Sequence, residues 1–352
     1  MIQKNFNPFK LNPFSLKEEE KKIIFKNYLN DLTRYHYKKS SLYKKILNGL
    51  NYKYKKNYEI SELPFLTTNI FKEVNLKSIS FRKVFKILLS SGTSGSSRSK
   101  IYLDKDNASS QRLVLSKIMT HFIGKNRLPM LIISKDIKYD REKFDAKSAA
   151  IRGFSIFGKN HHYLLDSQNK IDKEMLNKFL EKFGKNKFLI FGFTGDVYST
   201  FFENSDLKKK IDLKNGILIH GGGWKKLENK KISNTLFKKK FLNKYNLKKI
   251  INYYGLVEQV GSIFFECPNC NVFMCSNFSD IIIRDKNLKQ LKKGEGIVQL
   301  ISLLPKSYPG HNILTEDLGE ITKCKYGCGF KGKCFTIRGR IKNSQIRGCS
   351  NV

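Results

Sequence analysis

From residue 85 to about residue 266, apolar runs of strand length alternate with amphipathic segments of helical period. Such alternation restricts a chain to an α/β fold built on a parallel sheet. The runs at 85–89, 128–134, 187–193, 216–220 and 249–253 read as strands, and those at 107–122, 172–183 and 233–244 as helices. In open parallel sheets, ligands gather at the carboxyl ends of the strands. Here four polar or glycine-bearing loops follow strands: Ser90 to Lys100, Phe193-Thr194-Gly195-Asp196, His220-Gly221-Gly222-Gly223-Trp224-Lys225, and Tyr253-Tyr254-Gly255-Leu256-Val257-Glu258-Gln259.

The first of these loops has the composition of a phosphate cradle. Gly92 and Gly95 free the backbone to turn its N–H groups toward one point, Ser91, Thr93, Ser94 and Ser96 add hydroxyl donors, and Arg98 or Lys100 adds positive charge. It lacks the four-residue gap and the Gly-Lys-Ser/Thr ending of a Walker loop. The competing reading is a solvated Gly/Ser linker. The loop lies between two apolar runs, Phe85 to Leu89 and Ile101-Tyr102-Leu103, and a linker rarely sits inside a hairpin.

On either side the texture differs. Residues 1–84 are polar and mostly helical in pattern, with Ser15-Leu16-Lys17-Glu18 as a candidate capping box and Ile23, Ile24, Tyr28 and Leu32 as a core-facing stripe. After residue 266, short strands such as 280–284 and 296–302 stand between Gly, Pro and Cys clusters. We therefore divide the chain into a helical segment 1–84, an α/β core 85–266 that carries the candidate phosphate loop, and a smaller β-rich, cysteine-containing subdomain with its tail, 267–352.

The net charge of +37 raises the question of nucleic acid. However, lysines are spread along the whole chain with abundant Asn and Ile, so a general compositional bias explains the charge without a specific nucleic-acid partner. No run approaches the roughly 18 apolar residues of a membrane span, and the first residues carry no apolar signal core. A cytoplasmic protein is expected.

Seven cysteines in such a chain point to metal or chemistry rather than disulfides. Cys267-Pro268-Asn269-Cys270 is a tight turn with two thiolates, and Cys324 and Cys328 form a second pair. Together they make a candidate four-sulfur structural Zn²⁺ site, with Cys275 and Cys334 as substitutes. A basic zinc-ribbon protein that binds nucleic acid is the alternative from a different class, and it lacks a clustered basic and aromatic stripe. His220, His311, His161 and His162 read as structural, and Trp224 as a packing residue.

Four stretches stand in one order: Ser90-Ser91-Gly92-Thr93-Ser94-Gly95, then Tyr254-Gly255-Leu256-Val257-Glu258, then Thr315-Glu316-Asp317-Leu318-Gly319, then Arg338-Gly339-Arg340. In this they resemble the motifs of adenylate-forming enzymes. More narrowly, the chain from residue 85 onward resembles the acyl-protein synthetases of bacterial bioluminescence. The stretches that carry this likeness are His220 to Lys225, Ser307-Tyr308-Pro309-Gly310-His311 through Gly319, and the ending Arg347-Gly348-Cys349. Phenylacetate-CoA ligases are cousins of that family.

The resemblance implies ATP, Mg²⁺ and a carboxylic-acid substrate, expected to be a fatty acid. The loop from Ser91 to Lys100, with Ser91 to Gly95 as its cradle and Arg98 or Lys100 as its cation, would embrace the β and γ phosphates. Tyr254 would stack on adenine beside Gly255, Gly222 and Gly223 would border the nucleotide and acyl pocket, Asp317 would accept from the ribose hydroxyls, and Arg340 would contact ribose or phosphate. Glu258 would hold Mg²⁺. Cys349 would receive the acyl group, with a carrier protein or CoA as the other thiol acceptors, the last making the chain an acyl-CoA or aryl-CoA ligase.

Departures accompany the likeness. The usual Pro-Lys after the loop is replaced by Ser97-Arg98-Ser99-Lys100, and Val257 stands where many relatives carry Thr. The fold expected is an adenylate-forming domain with parallel sheet flanked by helices and no full carboxyl-terminal lid domain.

Overall fold

Phe188–Phe193 and Gly216–Gly221 are buried at every residue, as strands covered on both faces must be. They form the middle of a parallel sheet ordered Gly158–Tyr163, Leu128–Ile132, Phe188–Phe193, Gly216–Gly221, Lys249–Tyr254. Glu266 N–H donates to Asn252 O at 2.9 Å and adds a short segment at the far edge. The computed structural model describes residues 8–90, 98–136, 146–203, 211–259, 261–324 and 328–341. It divides into two units, one of Met119–Tyr254 with Phe265–Asn271, the other of Met1–Ile118 with Gly255–Phe264 and Val272–Val352.

The first of these units holds the parallel sheet. Two of its helices begin where the sequence places their caps. Asp172 Oδ1 accepts from Met175 N–H at 2.9 Å ahead of Lys173–Phe183, and Ser233 Oγ accepts from Leu236 N–H at 3.2 Å ahead of Asn234–Tyr245. The second helix ends at Asn246 in the left-handed region. Their apolar faces, Leu176 and Phe179 on one and Phe237 and Phe241 on the other, close over Phe188, Ile190 and Leu218. Trp224 packs edge-on against Tyr198 and Phe237, in the packing role expected of it. The strand Gly158–Tyr163 and the helix Ala146–Ser155 are additions to the sequence reading. An edge strand with one covered side can be as polar as Lys159, Asn160 and His161, so apolar patterning does not reveal it.

The other unit holds a seven-stranded sheet. Its main path runs Phe273–Met274, Cys334–Arg340, Asn312–Thr322, Gly296–Ser302, Ser279–Arg284, Gln290–Leu291, antiparallel throughout, and Leu66–Thr67 pairs parallel to Asn312–Thr322. Lys86–Leu89 and Lys100–Leu103 form a separate two-stranded antiparallel hairpin. The expectation that 85–89 belongs to the parallel sheet is thus corrected, because its partner is the strand across the Gly/Ser loop.

The long helix of this unit, Glu18–Lys39, starts with Glu20 accepting from Lys17 N–H at 2.9 Å rather than with a Ser15 box. Its buried stripe is Lys21, Phe25, Leu29, Leu32 and His36. Ile23 is 50% exposed, so the expected stripe is corrected by rotation toward Phe25 and Leu29. Lys21 is buried with the stripe: its Nζ donates to Ser279 O at 2.6 Å and lies 3.9 Å from Asp280 Oδ1, while Lys333 Nζ lies 3.3 Å from Asp280 Oδ2. Burial alone would raise the Asp280 carboxyl, but the two ammoniums overcome it and hold it below the usual range.

Three imidazoles are buried without a carboxylate partner among the contacts described. In this unit His36 and His311 stack at 5.1 Å; His36 lies 3.2 Å from Pro305 O and 2.7 Å from Ser78 Oγ, and His311 Nε2 lies 2.9 Å from Thr33 Oγ1. A carbonyl only accepts, so His36 Nε2 carries the proton and Nδ1 accepts from Ser78. In the parallel-sheet unit, His220 Nδ1 lies 3.0 Å from Thr194 Oγ1. Burial pushes His36 and His220 down to about 3 and His311 well below its usual value. The unfolded chain therefore takes up protons first, and stability present above pH 6.5 is lost as pH falls toward the folded values. At pH 5 the loss is about 2 kcal/mol per imidazole. The expected result is a melting temperature that drops steeply between pH 7 and 5, and that drops less in His36→Gln. Equal slopes in the two proteins would refute it.

Among the described residues no helix is long and apolar enough to cross a membrane.

Candidate active site

Glu258 sits in the short turn Val257–Gln259. Gln259 anchors that turn on the seven-stranded sheet, its Nε2 donating to Leu300 O at 3.1 Å and to Gly310 O at 3.0 Å. Gly310 is required there, because a Cβ would come within 2.8 Å of Glu258 O. The Glu258 carboxylate is only 6% exposed, and Ser99, fully buried, donates its hydroxyl to Oε1 at 2.6 Å. Ser99 is itself held by the opposite arm of the hairpin: its N–H donates to Ser90 Oγ at 2.9 Å, and its carbonyl accepts from Ser90 N–H at 3.1 Å. Burial pushes the Glu258 carboxyl up, while the Ser99 bond, the residue's own N–H and the fields of Lys72 and Arg340 pull it down.

Asp317 and Arg340 are direct partners across adjacent antiparallel strands. Arg340 Nε lies 3.5 Å from Asp317 Oδ1 and 4.0 Å from Glu316 Oε2. Thr315 Oγ1 accepts from Asp317 N–H at 3.0 Å, which fixes the bend before the carboxylate. Glu316 Oε1 accepts from Asn69 Nδ2 at 3.1 Å, and Asn69 Oδ1 accepts from Lys72 Nζ at 2.8 Å. One unit thus gathers a buried carboxylate, a second half-buried one and two cations whose fields reach the first. Such a set can hold a divalent cation, accept from a diol and neutralise a polyanion.

In the parallel-sheet unit, Gly222 and Gly223 follow the Gly216–Gly221 strand with φ of +78° and +68°. Both lie in the left-handed region where glycine carries little cost, and at Gly222 a Cβ would also meet Phe193 Cδ1 at 2.6 Å. Thr194 Oγ1 donates to Gly221 O at 3.1 Å and ties this turn to the end of Phe188–Phe193. Tyr254 ends its strand half-buried. These residues share the carboxyl edge of one sheet. Gly255, in the other unit, is exposed.

Lys100 is exposed at the first position of its strand, opposite Leu89. Ser91, Gly92, Thr93, Ser94, Gly95 and Cys349 lie outside the described residues. Ser99 and Lys72 are site residues that sequence reasoning missed. For Ser99 the signal was its place on the hairpin arm just past the loop, and for Lys72 there was none.

Of the four expected cysteines, Cys267 and Cys270 lie in the parallel-sheet unit, the first buried and the second half-buried, and Cys324 and Cys328 lie half-buried in the other. Each pair offers two thiolates, the donor that a tetrahedral structural ion prefers. Near the first pair, Lys238 Nζ lies 2.8 Å from Glu266 Oε2 and donates to Asn271 Oδ1 at 2.6 Å, pinning both ends of the 267–270 turn.

The chain has the fold of the adenylate-forming ligases. It overlays 2-hydroxyisobutyryl-CoA ligase, solved in an open conformation with 2-HIB-AMP and CoA, with a TM-score of 0.74 at 12% identity, covering 99% of this chain and 82% of that one. The same ligase in its thioesterification state gives a TM-score of 0.74 at 13% identity, covering 97% and 74%. The family described as "Acyl-protein synthetase, LuxE" matches residues 7–352, so the chain belongs to the LuxE acyl-protein synthetases. It is 22% identical over 359 residues to the long-chain-fatty-acid–luciferin-component ligase of Aliivibrio fischeri, covering 97% of this chain and 91% of that protein. It is accordingly an AMP-forming ligase that activates a carboxylic acid with ATP.

Proposed function

We propose that the chain activates a fatty acid as an acyl-adenylate and passes the acyl group to a cysteine thiol, its own Cys349 or one on a carrier protein. The observation that supports this most is the gathering of Glu258, Asp317 and Arg340 in one unit, with Glu258 in a nearly closed environment. A buried carboxylate with no task of its own would be replaced at little cost by an apolar side chain. The fatty chain rests on the substrate that the Aliivibrio relative's name carries.

In this reading Ser91 to Gly95 and Lys100 take the β and γ phosphates, Tyr254 lies on adenine, Gly222, Gly223 and Gly255 let the backbone close on the nucleotide, and Asp317 accepts from the ribose hydroxyls. The acid's carboxylate attacks the α-phosphorus in line, and the bond to pyrophosphate breaks as the acyl–phosphate bond forms. Arg340 and Lys72 offset the negative charge that accumulates. Glu258 is the residue that would hold Mg²⁺, which when bound neutralises phosphate oxygens and so stabilises the in-line displacement. A thiolate then attacks the acyl carbon and AMP leaves, giving a thioester. Arg347, two residues from Cys349, favours the thiolate. Cys267, Cys270, Cys324 and Cys328 would hold a structural Zn²⁺, and the enzyme works in the cytoplasm, where thiols stay reduced.

The test supplies radiolabelled fatty acids and ATP. The native protein should show acid-dependent exchange of pyrophosphate into ATP and a hydroxylamine-labile covalent label. Cys349→Ser should keep the exchange and lose the label. A label that persists in Cys349→Ser would move the acceptor elsewhere, and exchange with no fatty acid at all would overturn the substrate assignment.

A further inference from the structure

The bond between Ser99 and Glu258 is the strongest polar contact in the site that the motif order leaves unexplained. Ser99 is wholly buried, its hydroxyl reaches a carboxylate on a distant part of the chain at 2.6 Å, and its own backbone is bonded on both sides to Ser90. A hydroxyl-to-carboxylate bond of this length is charge-assisted and stronger than a neutral one. It holds one oxygen of Glu258 in a single orientation, and a carboxylate has lone pairs beyond those bonded by Ser99 and by the residue's own N–H for a further partner.

We propose that Ser99 is a positioning residue, which sets the Glu258 carboxylate for a divalent cation and ties that setting to the base of the hairpin that carries the Gly/Ser loop. This deepens the function proposed above and rests on it. The reasoning is mechanical. Residues 90 and 99 are the last described positions on the two hairpin arms that bond each other, so any shift of the loop's base moves the Ser99 backbone. Because the hydroxyl is rigidly carried by that backbone, the shift is transmitted to Glu258. A hydroxyl is also the right donor for the task, since it binds an ionised carboxylate without adding a positive charge that would compete with an incoming cation. Arg98 and Lys100 on either side of it are exposed, while the small hydroxyl is turned inward.

The experiment measures Mn²⁺ binding in the presence of a non-hydrolysable ATP analogue, read as loss of the free-ion signal in electron paramagnetic resonance. Native protein, Ser99→Ala, Ser99→Thr and Glu258→Gln are compared, with thermal melting of each as a folding check. Ser99→Ala should weaken Mn²⁺ binding about tenfold and lower kcat for pyrophosphate exchange while leaving KM for the acid unchanged, and Ser99→Thr should restore both. A folded Ser99→Ala that binds Mn²⁺ as tightly as the native protein, in a set where Glu258→Gln does not, overturns the role of Ser99 alone. Native binding in Glu258→Gln would instead overturn the metal role of Glu258 on which it rests.

Discussion

Replacing Glu258 with alanine is expected to lower acid-dependent pyrophosphate exchange at least about 10³-fold, the loss of roughly 4 kcal/mol of transition-state stabilisation. The reaction brings a carboxylate onto a polyanion, and in the proposed mechanism Glu258, a buried acid, would hold the cation that makes this approach tolerable. Glu258→Gln should do nearly the same damage with an opposite effect on stability. Burial raises the Glu258 carboxyl, so keeping it ionised at neutral pH costs the folded state, and that cost is relieved as pH falls through its folded value. The neutral amide removes the cost. Glu258→Gln should therefore melt at or above the native temperature while losing exchange, and an inactive variant that melts much lower would report a folding defect instead.

The second large effect is expected at the cysteines. Elemental analysis should find one zinc per chain, and Cys267→Ser or Cys324→Ser should lose it together with about 10 °C of melting temperature, since a structural ion's binding free energy is also folding free energy. Cys275→Ala is the control. Its thiol is buried and pushed well above the usual value, so it should keep the zinc. Full zinc content in Cys324→Ser would end the assignment of these four residues.

How far the sequence could be read follows from what each feature needs. Phe188–Phe193 and Gly216–Gly221 are covered on both faces, so their continuous apolar runs announce them. Asp172 and Ser233 announce helices because a cap requires a short polar side chain just before the first turn. The edge strand Gly158–Tyr163 has no such requirement and stays silent. The long first helix was legible as a helix, but its polar composition admits more than one apolar stripe, and only packing selects Phe25 and Leu29 over Ile23.

The site divides in the same way. Glu258, Asp317 and Arg340 are legible because their motifs stand in a fixed order along the chain. Ser99 is not, since one hydroxyl in a run of serines carries no mark of the carboxylate it bonds 159 residues away. Lys72 is one lysine in a lysine-rich chain, and only Asn69 and Glu316 show where it stands.

The pairing of Lys21 and Lys333 on a single Asp280 constrains the order in which this protein can change. Losing Asp280 first would strand two ammoniums in the interior, a defect of several kcal/mol. Losing Lys21 first leaves one balanced pair, after which the remaining two partners can be exchanged together for apolar groups. Stepwise substitution can therefore remove the trio at low cost along one route, while the reverse route passes through that defect.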